Sequence, residues 1–291
     1  MNQPLIEVRG LSASLRKGKQ ELKLLDNVEF QIMPGRALGL VGESGSGKSL
    51  TTRAITRLLD PAFRVSGEIS FRGDNVLKLN QSRLRDYRST KVGMIFQDPR
   101  AHINPVYRVG NFLTEALVNN KNLSRDEAED RAVSLLNDVG VRNAGDRLRQ
   151  YPHELSGGLL QRVMIASVLL AEPELILADE PTTALDVTAQ SDVMAIIEEQ
   201  RLARGMSLLL ITHDLELAAA CCDDLAVMYA GHIVEYGPQV HLDPQHPYTK
   251  QLMDARPSID VKSHRLPTLS FTRDEHERIQ LASAQAQEVS V

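Results

Sequence analysis

Three features of this 291-residue sequence predict an α/β fold built on a largely parallel sheet. A glycine-rich loop, "GESGSGKS" at residues 42–49, joins a short apolar run to a helical pattern. Two apolar runs, "ELILADE" and "SLLLITHD", flank the helix-length stretch "DVTAQSDVMAIIEEQRLA", which is the rhythm of a βαβ unit. The opening alternates strand-like runs separated by Gly, Lys and Pro, which read as strands feeding the glycine loop.

In chain order, "LIEVRGLSASL", "ELKLLDNVEFQI" and "ALGLVG" read as strands separated by Gly, Lys and Pro punctuation. After the glycine loop, Leu50, Ala54, Ile55, Leu58 and Leu59 recur at helical spacing, and Pro61 ends the run. "GEISFRG" and "KVGMIFQ" add two short strands. Residues 98–170 then turn helical, with "VGNFLTEALV", "SRDEAEDRAVSLLNDVG" and "LLQRVMIASVLLA" each bounded by Ser or Gly. "LAVMYAG" and "HIVEYG" close the core. The predicted organisation is a core of residues 1–97 and 171–237, a helical subdomain of residues 98–170, and an extension of residues 238–291. The last stretch of that extension, "SAQAQEVSV", holds too few apolar residues to fold alone and is expected to be disordered.

Composition narrows the function classes. A formal charge of -5 argues against broad nucleic-acid binding. No secretory signal opens the sequence and no window approaches the roughly 18 apolar residues of a membrane span, so a soluble chain is expected. The two cysteines, Cys221 and Cys222, are neighbours, which suits a reducing compartment and predicts two small buried side chains on a helix. His232, His241 and His246 share no metal-ligand spacing and read as surface histidines.

The glycine loop fits G-x-x-x-x-G-K-[ST] and sits between an apolar strand and a helix, where a polyphosphate can be wrapped by backbone N–H groups. Gly42, Glu43, Ser44, Gly45, Ser46, Gly47, Lys48, Ser49 and Leu50 are therefore the candidate nucleotide-binding residues, a loop that could serve a small-molecule kinase, a GTPase or a motor. Lys48 would reach the β and γ phosphates, and Ser49 would hold a bridging Mg²⁺. "LILADE" places Asp179 and Glu180 at the carboxyl end of a buried strand. Asp179 suits Mg²⁺ binding through water, and Glu180 suits polarising the attacking water. "NKNL" at Asn120 departs from the N-K-x-D that would read guanine. "LSGGLLQR", at residues 155–162, opens an apolar helix and offers a second anion-binding end. Two chains facing head to tail would use both ends.

These motifs, in this order, resemble the ATPase subunits of ATP-binding cassette (ABC) transporters over residues 5–256. The resemblance implies a P-loop NTPase (RecA-like) core with a parallel or mixed sheet, an antiparallel β subdomain and an α-helical subdomain. It makes Gln97 of "IFQDP" a contact to Mg²⁺ and to the attacking water, and makes His213 of "ITHD" a contact to the γ-phosphate. It assigns Ser156, Gly157 and Gly158 to the ATP of the facing subunit, and Asp186, the last residue of "LILADEPTTALD", to the nucleotide-contacting D-loop. Leu159 stands where many relatives carry Gln. Relatives also stack an aromatic ring on adenine, yet residues 1–29 hold no Phe, Tyr or Trp. Leu15 and Arg16 fall near that place, so base contact is expected to be weaker by about 1 kcal/mol and base selectivity modest.

Asn104 and Pro105 after the Q-loop, with "HPYTKQLMDARP" from His246, resemble the dipeptide, oligopeptide and nickel importer branch. That branch implies uptake of peptides, nickel or a metal chelate. The implied partners are two membrane-spanning permease subunits, a second related ATPase or another copy, and, indirectly, an external solute-binding protein. The implied place is the cytoplasmic face of the inner membrane. Since no Cys follows Cys222, an iron–sulfur site is not supported, and the short tail leans toward nickel or metallophore members. The alternative is a soluble, non-transport cassette ATPase acting on nucleic acid or ribosomes. The single cassette and the absence of heptads and basic tracts argue against it. A purely regulatory ATP-binding module is disfavoured by Glu180.

Overall fold

The structure is a computed structural model that describes residues 3–17, 20–121, 123–183, 187–238 and 240–254. The expected disordered tail lies outside these residues. In chain order the strands are β1 (Ile6–Lys17), β2 (Gln20–Ile32), β3 (Ala37–Val41), β4 (Phe63–Phe71), β5 (Asp74–Asn75), β6 (Val92–Ile95), β7 (Leu175–Asp179), β8 (Ser207–Thr212), β9 (Asp224–Tyr229) and β10 (His232–Gly237). The helices are α1 (Lys48–Ile55), α2 (Gln81–Asp86), α3 (Pro99–His102), α4 (Val109–Lys121), α5 (Arg125–Asp138), α6 (Ala144–Arg147), α7 (Gly157–Leu170), α8 (Val187–Arg204), α9 (Leu215–Cys221) and α10 (Pro247–Asp254). No helix of the described residues is long and apolar enough to cross a membrane.

The chain forms two compact units. One comprises the described residues of 6–31, 37–77 and 211–254, and the other those of 3–5, 32–36 and 78–210.

The first unit carries the glycine loop. Its antiparallel sheet runs β2-β1-β4-β5, and a second run of strands orders β10-β9-β3. β3 pairs parallel with β9 and is buried along its whole length, as the unbroken apolar run "ALGLV" demands. The packed cluster beside it joins Val41, Leu215, Ala218, Leu225, Val227, Tyr229, Val234 and Val240 with Tyr248 of α10. Part of the extension thus belongs to this unit's core. α1 ends at Ile55, short of the predicted Leu59. Arg57 takes the left-handed conformation (φ 53°), its N–H bonds Ala54 O and the Leu58 N–H bonds Arg53 O, the paired pattern that closes a helix. An arginine in the place glycine normally fills hid this stop from sequence reading. β4 begins at Phe63, earlier than expected, and sets Phe63 opposite Leu15.

The second unit holds most of the helices and a strand run ordered β8-β7-β6. β6 and β7 pair parallel, with Ile95 opposite Ala178. α5 starts on a capping box in which Ser124 and Glu127 satisfy each other's backbone N–H groups, as Ser followed three residues later by Glu predicts. The short helices α2, α3 and α6 are too brief to show a period and went unread.

Two expectations are corrected. Cys221 and Cys222 are only partly buried: α9 ends at Cys221, and Cys222 is its cap and packs at the margin of the core cluster. His246 is buried rather than on the surface, and its Nδ1 accepts the N–H of Tyr248.

Burial also fixes an alkaline limit. Burial pushes the Tyr248 phenol up to about 12 and raises Tyr87 further. Unfolded tyrosines ionise near pH 10, so above about pH 10 the unfolded chain releases protons that the folded chain keeps. Stability is therefore expected to be whole below about pH 10 and to fall toward pH 12. Denaturant midpoints measured across that range check this, and a flat profile would contradict it.

Candidate functional site

The phosphate-binding candidate follows directly from β3. Gly42 leaves no space for a side chain, since a Cβ there would come within 2.2 Å of Met228 O and 2.9 Å of Ser46 Oγ. Gly45 and Gly47 take positive φ, 83° and 113°, which side-chain-bearing residues rarely adopt. The loop is closed by the Ser46 N–H on Glu43 O (3.2 Å) and tied to the strand turn by the Gly231 N–H on Ser46 O (2.9 Å). Gly47 caps α1, whose first turn holds no acidic residue, so its positive end is left for an anion.

Lys48 is 4% exposed, and its ammonium donates to the carbonyls of Gly42 (2.7 Å) and Glu43 (2.8 Å). Ser46 is buried, Ser44 and Gly45 are exposed, and Glu43, Ser49 and Leu50 are partly buried. A buried cation resting on loop carbonyls suits a phosphate's charge. Glu43 N–H is engaged by the hydroxyl of Tyr248, 205 residues away.

His213 is exposed between the end of β8 and Asp214, which caps α9 by accepting the N–H groups of Glu216 and Leu217. Leu15 is partly buried and Arg16 exposed. Phe63, partly buried, stands across the strand pair from Leu15 and was missed by sequence reasoning. Its only signal was the pairing of β1 with β4, which no local pattern reveals.

In the other unit, the register of β6 and β7 puts Gln97 and Glu180 two residues past paired positions. Gln97 Nε2 donates to Glu180 Oε2 (3.1 Å). Thr183 Oγ1 donates to the same oxygen at 2.8 Å. Glu180 adopts φ 45°, a left-handed conformation uncommon for a residue with a side chain. Asp179 closes β7 and is buried. Thr183 was not singled out from sequence, because a threonine after a proline reads as ordinary turn chemistry.

Ser156 caps α7, its hydroxyl accepting the Leu159 N–H. Gly157 and Gly158 form the first turn, and a Cβ on either would meet nothing within 4 Å, so this helix end is open. Gln161, 2% exposed on an otherwise apolar helix, donates to Pro181 O at 2.8 Å and ties α7 to the turn after Glu180. The signal was present: one amide amid nine buried positions needs a partner. Asp186 lies outside the described residues.

A glycine loop that opens a helix behind a buried parallel strand, with a carboxylate pair ending another strand, defines a phosphate-loop nucleotide-binding cassette. The profile of the ABC transporter family matches residues 25–183. The oligopeptide transport ATP-binding protein OppD of Bacillus subtilis (strain 168) is 42% identical over 260 residues, 88% of this chain and 73% of that protein. OppD of Escherichia coli (strain K12) is 41% identical over 267 residues, 91% of this chain and 79% of that protein. Among solved structures, the post-hydrolysis dimer of the ATP-binding cassette MJ0796 bound to ADP and Pi matches with a TM-score of 0.72 and 26% identity, covering 80% of this chain and 98% of that one. The chain belongs to the ABC transporter family.

Proposed function

We propose that this chain is the ATP-hydrolysing subunit of a membrane importer and energises the uptake of peptides. The observation that carries the reading is the Lys48 ammonium, buried on loop carbonyls at the start of α1. The importer class and the peptide cargo draw on the peptide-transport relatives; the leaning toward nickel draws nothing from them.

In this reading Lys48 and the N–H groups of residues 44–49 hold the β and γ phosphates, and His213 contacts the γ-phosphate. The proposed base is Glu180, oriented by Gln97 and Thr183. Ser156, Gly157 and Gly158 bind the nucleotide held by a facing cassette. Among the described residues no three His, Cys, Asp or Glu side chains gather to hold a metal. Mg²⁺ fits this, since it prefers a few hard oxygen donors completed by phosphate oxygens and water. Ser49, Asp179 and Gln97 would supply those donors, and the ion would offset the charge of the phosphates.

The proposed domain division keeps residues 98–170 as the part that meets the membrane subunits. Val106 and Tyr107, 74% and 57% exposed, offer them apolar contact. The assembly comprises two permease subunits and a second cassette at the cytoplasmic face of the inner membrane. Affinity capture of the full chain from detergent-solubilised membranes tests it. Two multi-span proteins and a sister ATPase are expected; ribosomes or nucleic acid in their place would support the non-transport reading.

Leu15 and Phe63 are the proposed apolar platform for the base. A platform without hydrogen bonds to base edges discriminates weakly, so KM values for ATP and GTP are expected within about threefold of each other. A strict preference for ATP in steady-state kinetics would contradict this.

A further inference from the structure

We propose that Tyr248, in the "HPYT" element of α10, is a positioning residue for the phosphate loop. Its hydroxyl fixes the Gly42–Glu43 peptide plane, and the carbonyl of that plane, Gly42 O, places Lys48. This rests on the reading of residues 42–49 as the nucleotide-binding loop.

The Gly42–Glu43 peptide plane is held from both ends. Its N–H, that of Glu43, donates to Tyr248 Oη (3.1 Å), while its carbonyl, that of Gly42, accepts Lys48 Nζ (2.7 Å). A peptide plane held at one end can rotate and carry its carbonyl away from the ammonium; held at both, it cannot. Tyr248 in turn has no freedom to follow. Its side chain is 0% exposed, its ring lies tilted against Tyr229 with centroids 4.4 Å apart, and its own N–H donates to His246 Nδ1 (3.2 Å).

The anchor of α10 is also defined. The Glu235 carboxylate of β10 accepts the successive N–H groups of Gln245 (2.7 Å) and His246 (3.2 Å), which pins the approach to the helix. A segment beyond the last core strand therefore reaches back to the second residue of the phosphate loop. Burial keeps the phenol protonated through the physiological range, so the contact does not vary with pH there. A phenylalanine would fill the same space and leave the Glu43 N–H without this acceptor.

The test uses the full chain with ATP and Mg²⁺, comparing wild type, Tyr248→Phe and Tyr229→Phe by calorimetric ATP binding, steady-state kinetics and nucleotide-free melting. In Tyr248→Phe, Kd and KM for ATP are expected to rise about three- to tenfold, the range one neutral hydrogen bond supplies, with kcat at saturation within about twofold of wild type. Tyr229→Phe disturbs the same ring pair but keeps the Tyr248 hydroxyl on the Glu43 N–H, and is expected to bind ATP as wild type does. A Tyr248→Phe Kd equal to wild type would overturn the proposal, as would an equal weakening in Tyr229→Phe, which would make the effect one of packing alone. Wild-type protein that binds no ATP would instead sink the nucleotide reading on which the proposal stands.

Discussion

Glu180→Gln is expected to lower ATP turnover by about 10²- to 10⁴-fold, the contribution a positioned general base makes, while ATP binding survives. The geometry separates these two effects. Glu180 Oε2 receives hydrogen bonds from Gln97 and Thr183, so its carboxylate is oriented before any nucleotide arrives. Glutamine keeps the volume and one acceptor oxygen for Thr183, but it cannot take a proton from water. Binding residues in the loop at 42–49 are untouched by the change. Phosphate release and retention of ATP with Mg²⁺, measured on the same preparation, check both halves. Turnover within tenfold of wild type would contradict the role given to Glu180.

Lys48→Ala is expected to weaken ATP binding by at least about 100-fold, because hydrogen bonds to charged groups contribute about 1.5–3 kcal/mol each and this ammonium can reach several phosphate oxygens. Lys48 is nearly inaccessible, and its ammonium donates to the neutral carbonyls of Gly42 and Glu43. Its charge is thus held beside the loop, where phosphate oxygens would bind. Truncation removes the charge and leaves the positive φ of Gly45 and Gly47 in place, so the loop itself should persist. Equilibrium binding of ATP and thermal melting of the nucleotide-free chain separate lost affinity from lost fold. Binding within about threefold of wild type would contradict the assignment.

Much of the fold was legible because the parallel strands are buried on both faces and read as unbroken apolar runs: "ALGLV", "LILAD" and "SLLLIT" became β3, β7 and β8 within a residue or two. The glycine loop was legible for a different reason. Its three glycines are each required, Gly42 by space and Gly45 and Gly47 by conformation, so the spacing is a direct image of the backbone. What escaped reading was set by distance in sequence. Phe63 meets Leu15 only through strand pairing, and Tyr248 meets Glu43 only because α10 folds back onto the core. His246 read as a surface residue because a histidine in a Pro-rich stretch carries no mark of the burial that packing later gives it. The stop of α1 at Ile55 was hidden because Arg57 occupies a conformation usually announced by glycine.

Uptake by the reconstituted transporter tests the central claim most directly: the full chain assembled with its permease subunits and sister cassette in proteoliposomes, ATP supplied on the cassette side, and a labelled peptide outside with its binding protein. The account predicts ATP-dependent accumulation of the peptide with wild-type protein and accumulation lowered at least about 100-fold with Glu180→Gln. Equal accumulation by the two, or none with ATP when both cassettes are active, would contradict it.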